Sequence, residues 1–190
     1  SNTTATAQTI EVDSRFENLN RGLQVSGNFN VDVHDNFSTK YFRDIDDVAI
    51  FVNSMNYLRD ISVVGINYFR NCNIGILLRG NNWNSVNISG NEFDNTNFNE
   101  TRTGSFHNTA ITVQKWGSIP ANTGVVEIFD NNITDFRIGI HAINVSDINI
   151  GTDVVGTLLA GNTIEFKKSN FPLLDFHEGI WLQNCAGSKV

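Results

Sequence analysis

Arg137 stands four residues before His141, and His177 stands four residues before Trp181. If the two segments lie side by side in register, a guanidinium, two imidazoles and an indole share one patch, with Asp175 and Glu178 beside them. Such a patch could bind a sugar, because an aromatic ring offers a flat apolar platform while the cation and imidazoles offer hydrogen-bond donors. The same residues also read as a solvated face on which Asp175 and Glu178 pair with Arg137 or Lys167, an arrangement worth little energy.

A second set consists of acids. Glu92, Asp94, Asp130, Asp135 and Glu165 each lie just after a polar turn, with Asn91, Asn131 and Asn132 close by in sequence. Gathered together, their oxygens could hold a calcium ion, a hard cation that takes about six to eight oxygen ligands. Acids at turns are also commonly just solvated. No other cofactor is implied.

Catalysis asks for more. Glycoside hydrolysis needs two carboxyl groups roughly 5 to 9.5 Å apart. With one stacked strand step of about 4.8 Å, the cluster Asp44, Asp46 and Asp47 falls about 19 Å from Asp175 and Glu178, so those groups cannot act as a pair. Lys115 and Arg137 could serve as bases, but nothing in the sequence fixes either beside the acids. Nucleophile–histidine and phosphate-loop patterns are absent. Catalytic residues stay unassigned.

What must position these side chains is a repeat. A small residue, an isoleucine, any residue and a further residue, usually aliphatic, recur as Ala49-Ile50-Phe51-Val52, Gly75-Ile76-Leu77-Leu78, Ala110-Ile111-Thr112-Val113, Gly139-Ile140-His141-Ala142 and Gly179-Ile180-Trp181-Leu182. Between the copies, apolar residues at period 2 run into polar turns: Leu23 and Val25 before Ser26-Gly27-Asn28, Val86 and Ile88 before Ser89-Gly90-Asn91, Val126 and Ile128 before Asp130-Asn131, and Leu159 before Ala160-Gly161-Asn162. Ile61 and Val63 before Gly65 are a looser version. Each segment is too short for a helix and has one apolar face, so each reads as a strand, two per turn of a coil. The spacings between isoleucines, 26, 35, 29 and 40 residues, suit stacked strands joined by loops of unequal length.

Stacking in register then sorts residues into columns. Ile50, Ile76, Ile111, Ile140 and Ile180 face inward, as do Val52, Leu78, Val113, Ala142 and Leu182. Phe51, Leu77, Thr112, His141 and Trp181 face outward, either open to ligand or covered by the long loops 92–108, 114–124 and 144–156, to which Trp83 and Trp116 would contribute. Asp47, Asn73, Asn108, Arg137 and His177 form a further column. Asn28, Asn91, Asn131 and Asn162 form an amide ladder at a turn. Coil two is the weak point: Gly65-Ile66-Asn67 lacks the Gly-Asn order, and a slip of one residue there would exchange inside for outside.

Composition agrees with a turn-rich β protein. Asparagine supplies 28 of 190 residues, with 15 glycines and two prolines, and Asn tolerates the left-handed backbone that tight turns demand. A net charge of −7 opposes nucleic acid and anionic membrane surfaces as partners. No run of about 18 apolar residues exists to insert in a membrane. Cys72 and Cys185 fall three strand steps apart, too far for a disulfide, so two free, largely buried thiols are expected.

The turns Gly90-Asn91-Glu92-Phe93 and Gly161-Asn162-Thr163-Ile164, followed by Gly-Ile-x-aliphatic, resemble the right-handed parallel β-helices of the pectin-lyase-like superfamily. The resemblance spans residues 22 to 187 and concerns architecture. It implies an all-β, right-handed parallel β-helix, a solenoid of about five coils. Residues 1–21 would be an N-terminal partial coil or cap, and 22–190 the β-helix domain, a segment of a longer protein. The superfamily includes polysaccharide lyases, glycoside hydrolases, tailspikes and surface proteins without activity, and fold does not choose among them. The polygalacturonase-type signatures are missing as a set: Asp46-Asp47 is present but no Gly-His-Asp segment follows.

The expected role is structural or ligand-presenting, in a secreted or cell-surface protein, with polysaccharide or other parts of a larger surface protein as partner. The rival is a carbohydrate-active domain with Arg137, His141, His177 and Trp181 as its substrate platform, and a trimeric receptor-binding spike is a third reading.

Overall fold

The computed structural model describes residues 8–27, 29–34, 41–54, 59–80, 83–97, 108–116, 124–151, 161–167 and 177–190. All their regular elements are strands: β1 (Gln8–Val12), β2 (Phe16–Ser26), β3 (Phe29–His34), β4 (Tyr41–Ser54), β5 (Asp60–Val64), β6 (Tyr68–Gly80), β7 (Ser85–Ser89), β8 (Glu92–Asp94), β9 (Thr109–Lys115), β10 (Val125–Phe129), β11 (Asn132–Thr134), β12 (Ile138–Ile143), β13 (Ile148–Ile150), β14 (Thr163–Glu165) and β15 (Glu178–Gln183). Every pairing among them is parallel, in two sheets between which the chain alternates.

The first sheet runs β1-β3-β5-β7-β10-β13. Its inward columns are Ile10, Val31, Ile61, Val86, Val126 and Ile148, and Val12, Val33, Val63, Ile88, Ile128 and Ile150. In the second sheet the recurrent isoleucines do lie side by side: Ile50 pairs with Ile76, Ile76 with Ile111, Ile111 with Ile140 and Ile140 with Ile180. Ile50, Ile76, Ile111 and Ile140 are fully buried in one core cluster that both sheets share.

Two assignments change. Leu23 and Val25 pair with Ile50 and Val52, not with the strands of the first sheet, so Gly22-Leu23-Gln24-Val25 is a sixth copy of the small-aliphatic motif. Its place in the first sheet belongs to Val31 and Val33. At the other end Ile148 and Ile150 pair with Val126 and Ile128; Leu159 lies outside the described residues, as does Asn28.

The second change is a third row of strands. The opening residues of β2, β4 and β6 continue through β8, β11 and β14, so the segments read as turns at Glu92 and Asn132 are three-residue strands. Their single inward residue is aromatic over four rungs: Phe16, Phe42, Phe69 and Phe93 stack with ring centroids 4.9, 5.0 and 4.5 Å apart. This stack explains the recurring small residue. A Cβ on Gly75 would lie 2.7 Å from the Phe93 ring and 2.6 Å from the Ala110 carbonyl oxygen, and one on Gly22 would meet the Phe42 ring at 2.9 Å.

Corners are made by amides. Asn67, Asn91, Asn131 and Asn162 form the ladder, each Nδ2 donating to the next Oδ1 at 2.8, 3.0 and 2.9 Å, while the Asn91 and Asn131 backbone N–H groups donate to the same oxygens. At the following corner Asn18, Asp44 and Asn71 adopt φ of 55°, 55° and 53°, the left-handed region that Asn and Asp tolerate best. Coil two keeps its register: β5 pairs with β7 without a shift, and Asn67 takes its place in the ladder because Ile66 is looped out and 54% exposed.

Candidate functional site

β12 and β15 set the candidate patch. His141 pairs with Trp181, and the rings stack at 4.2 Å with an interplanar angle of 4°. Arg137 and His177 precede the pair Ile138 and Glu178, and Glu178 N–H donates to the Arg137 carbonyl. The two pairs are therefore separated by four residues of strand, about 13 Å. The His177 ring rests on Phe166 at 3.8 Å instead of facing His141. The four residues form two stations along one edge, Arg137–His177 and His141–Trp181.

Exposure differs sharply between the members. His141 is 1% exposed, as is Thr112 beside it, and Leu77 next in the column is 5% exposed, whereas Phe51 is half-buried and Trp181 is open at 38%. Leu77 joins Val48, Ile74 and Phe51 in a small apolar cluster separate from the main core. The middle of the outward column is thus buried, and much of the loops that could cover it lies outside the described residues. Burial removes water from the His141 imidazole and pulls its pKa below the ordinary value, so the ring that meets Trp181 is neutral at pH 7. Trp83 is not part of the cover: it sits fully buried in the main core, while Trp116 is 43% exposed with the Arg79 guanidinium 5.9 Å over its ring.

The acids come together only in part: Glu165, Asp135 and Asp94 all act on the Lys167 ammonium and raise its pKa. Among the described residues no three His, Cys, Asp or Glu side chains come together to hold a metal ion. Asp94 and Glu165 lie two strands apart with Thr134 between them, and Glu92 stands beside Asn132. Each has a local partner: Glu92 lies 3.6 Å from Arg70, Glu165 lies 2.9 Å from Lys167, and Asp94 accepts from the Thr96 backbone N–H and hydroxyl at 2.9 and 2.6 Å. Burial pushes the Asp94 pKa up, but the Thr96 donors and the nearby cations outweigh it and leave it lowered. Asp135 is fully buried at a left-handed turn and accepts from the Lys167 backbone N–H, whereas Asp130 turns the corner before Asn131. Of the other acids, Asp47 pairs with Arg21 at 2.6 Å and Asp44 accepts from Asn71; Asp175 lies outside the described residues.

Two further side chains carry chemistry: Lys115, which the sequence offered as a base, and Cys72, which it placed as a free, buried thiol. Lys115 occupies the inward parity of Ile111 and Val113, is 1% exposed, and its buried Nζ meets no hydrogen-bond partner among the described residues. Burial lowers its pKa, since an ammonium there lacks water. The parity was legible, but a lysine at a strand end ordinarily turns outward. Cys72 is fully buried, and loss of solvent drives its thiol pKa up to about 12; Cys185 is half-buried, and neither is in a disulfide. Such a protonated, enclosed thiol is a poor nucleophile. Comparison with protein-family models, with curated proteins and with solved structures finds no match to this chain.

Proposed function

We propose that the chain is a segment of a parallel β-helix of the pectin-lyase-like kind, serving a structural or ligand-presenting role in a secreted or cell-surface protein. The unbroken side-by-side register of Leu23, Ile50, Ile76, Ile111, Ile140 and Ile180 supports a solenoid, with six circuits instead of the five that the isoleucines alone suggest. The observation that carries the structural role is the burial of the outward column at Leu77, Thr112 and His141. An enzyme working on that face would need it open beside converging acids. The acids instead sit beside cations, Glu92 at Arg70 and Glu165, Asp135 and Asp94 around Lys167.

A carbohydrate-binding role is favoured by one feature, the exposed Trp181 indole held flat by His141. A rigid exposed ring is a platform for a sugar face. Glycan-array binding combined with a thermal-shift scan of calcium and oligosaccharides separates the two. The structural reading expects no response to any of them. Saturable glycan binding that Trp181→Ala abolishes would replace it with the carbohydrate reading.

A further inference from the structure

We propose that the corner of the coil that follows β6 and β9 holds a small monovalent anion such as chloride, between the Lys115 ammonium and the Trp83 indole N–H. Two rungs meet there. Gly80, the last residue of β6, pairs with Lys115, the last residue of β9. Beyond the strands the chain stays stacked: the Trp116 N–H donates to the Gly80 carbonyl and the Gly124 N–H to the Trp83 carbonyl, both at 3.0 Å. Gly124 permits this approach, since a Cβ there would collide with the Asn84 carbonyl. β6 and β9 lie between β4 and β12, and β7 and β10 between β5 and β13, so the corner is interior to the stack.

Both side chains face the inside of that corner. Trp83 is 0% exposed and belongs to the main core, and Lys115, at the inward parity of Ile111 and Val113, is 1% exposed. Neither Trp83 Nε1 nor Lys115 Nζ has a hydrogen-bond partner among the described residues. A buried donor without an acceptor is costly, and a buried ammonium without a counter-charge is more so. Two such donors on adjacent rungs of one corner call for an acceptor that they share. Asp60, the acid that borders the corner, does not serve. It lies in an outward column beside Ser85, and its Oδ1 accepts from Asn84 Nδ2 and Ser85 Oγ, each at 2.7 Å.

The donors fix the class of ligand. A water molecule could accept from both but would leave the ammonium charge uncompensated. An anion of single charge compensates it, whereas sulfate or phosphate would bury a second charge with nothing opposite. Chloride also suits the room, because the side chain beside Lys115 in the register is the hydrogen of Gly80. Burial by itself lowers the Lys115 pKa; an anion at Nζ opposes that and keeps the amine protonated. The inference goes beyond the scaffold reading and does not rest on it, since the anion fixes a corner whether or not an outer face presents a ligand.

Thermal melts test it, with sodium chloride or bromide raised to about 50 mM and ionic strength held constant by sodium fluoride, whose anion is too strongly hydrated to enter a dry corner. Wild type should gain roughly 3 °C and saturate once halide exceeds its Kd about tenfold. Lys115→Met, which keeps an unbranched chain of similar length in the corner, should melt no lower than wild type in fluoride and ignore chloride and bromide. Trp83→Phe should keep the response but need roughly tenfold more halide, having lost one donor. Crystals soaked in bromide should show an anomalous peak within hydrogen-bond reach of Nζ and Nε1. A wild type that ignores halide overturns the proposal. So does a response of equal size in Lys115→Met, or bromide found only away from Lys115, an adventitious ion only. Should Lys115→Met fail to fold, the wild-type titration and the bromide position decide by themselves.

Discussion

At the scale of single residues the structure turns on polar groups enclosed among apolar ones. Asn131 shows how they are kept: its Nδ2 donates to the Ile88 and Phe129 carbonyls and to Asn162, while its Oδ1 accepts twice from Asn91. A full set of partners is what makes a buried amide tolerable. His141 is a different case, a titratable ring whose burial depresses its pKa. Its paired neighbours Thr112 and Trp181 do not titrate. Below the ordinary histidine value, about 6.5, the unfolded chain binds a proton that the folded chain refuses, and stability falls with falling pH. Urea unfolding between pH 7 and 5 should show this loss, and His141→Phe, which keeps a ring on Trp181 but cannot titrate, should flatten it. An equal slope in the variant would place the effect elsewhere. His141 was legible from its column, but its burial was not, because burial depends on what covers the sheet and not on the strand itself.

At the scale of elements, most of the strand order was readable, because period-2 apolar pairs before Gly-Asn turns mark strands whichever loops lie between them. Two features were not. The third row of strands offers one inward residue each, Phe42, Phe69 or Phe93, and a three-residue strand has no alternation to count. Its trace is instead an aromatic two residues before an Asn or Asp, as in Phe42-Arg43-Asp44 and Phe69-Arg70-Asn71. Leu23 and Val25 were misplaced because Ser26-Gly27-Asn28 imitates Ser89-Gly90-Asn91; the same turn chemistry serves two different corners. The feared slip in coil two is absent for a local reason. Gly65 N–H donates to Ser89, and Asn67 N–H reaches back to the Gly65 carbonyl at 2.9 Å, so Ile66 alone forms the apex of a tight turn while the strands on both sides stay in step. Deleting Ile66 should therefore cost less than about 1 kcal/mol, since it exposes its side chain and anchors nothing. Deleting Ser62 from within β5 should unfold the protein at room temperature, because it turns Ile61 or Val63 to the outside. Comparable melting temperatures for the two deletions would contradict the register.

At the scale of the whole molecule, cohesion runs along one axis. Each strand touches mainly the one before and the one after, and no single centre gathers all the contacts, so stability adds up from neighbouring interfaces. Interior strands such as β6, β7 and β9 have a neighbour on both edges, whereas β14 and β15 have one. Opening an end rung breaks one interface and exposes side chains already half-open; opening β7 breaks two and exposes Val86 and Ile88, at 1% and 0%. Local opening should therefore grade from the ends inward. Amide hydrogen exchange should be at least tenfold slower in β6, β7 and β9 than in β2 and β15. One exchange rate throughout would mean that the chain opens as a unit and that its ends are capped.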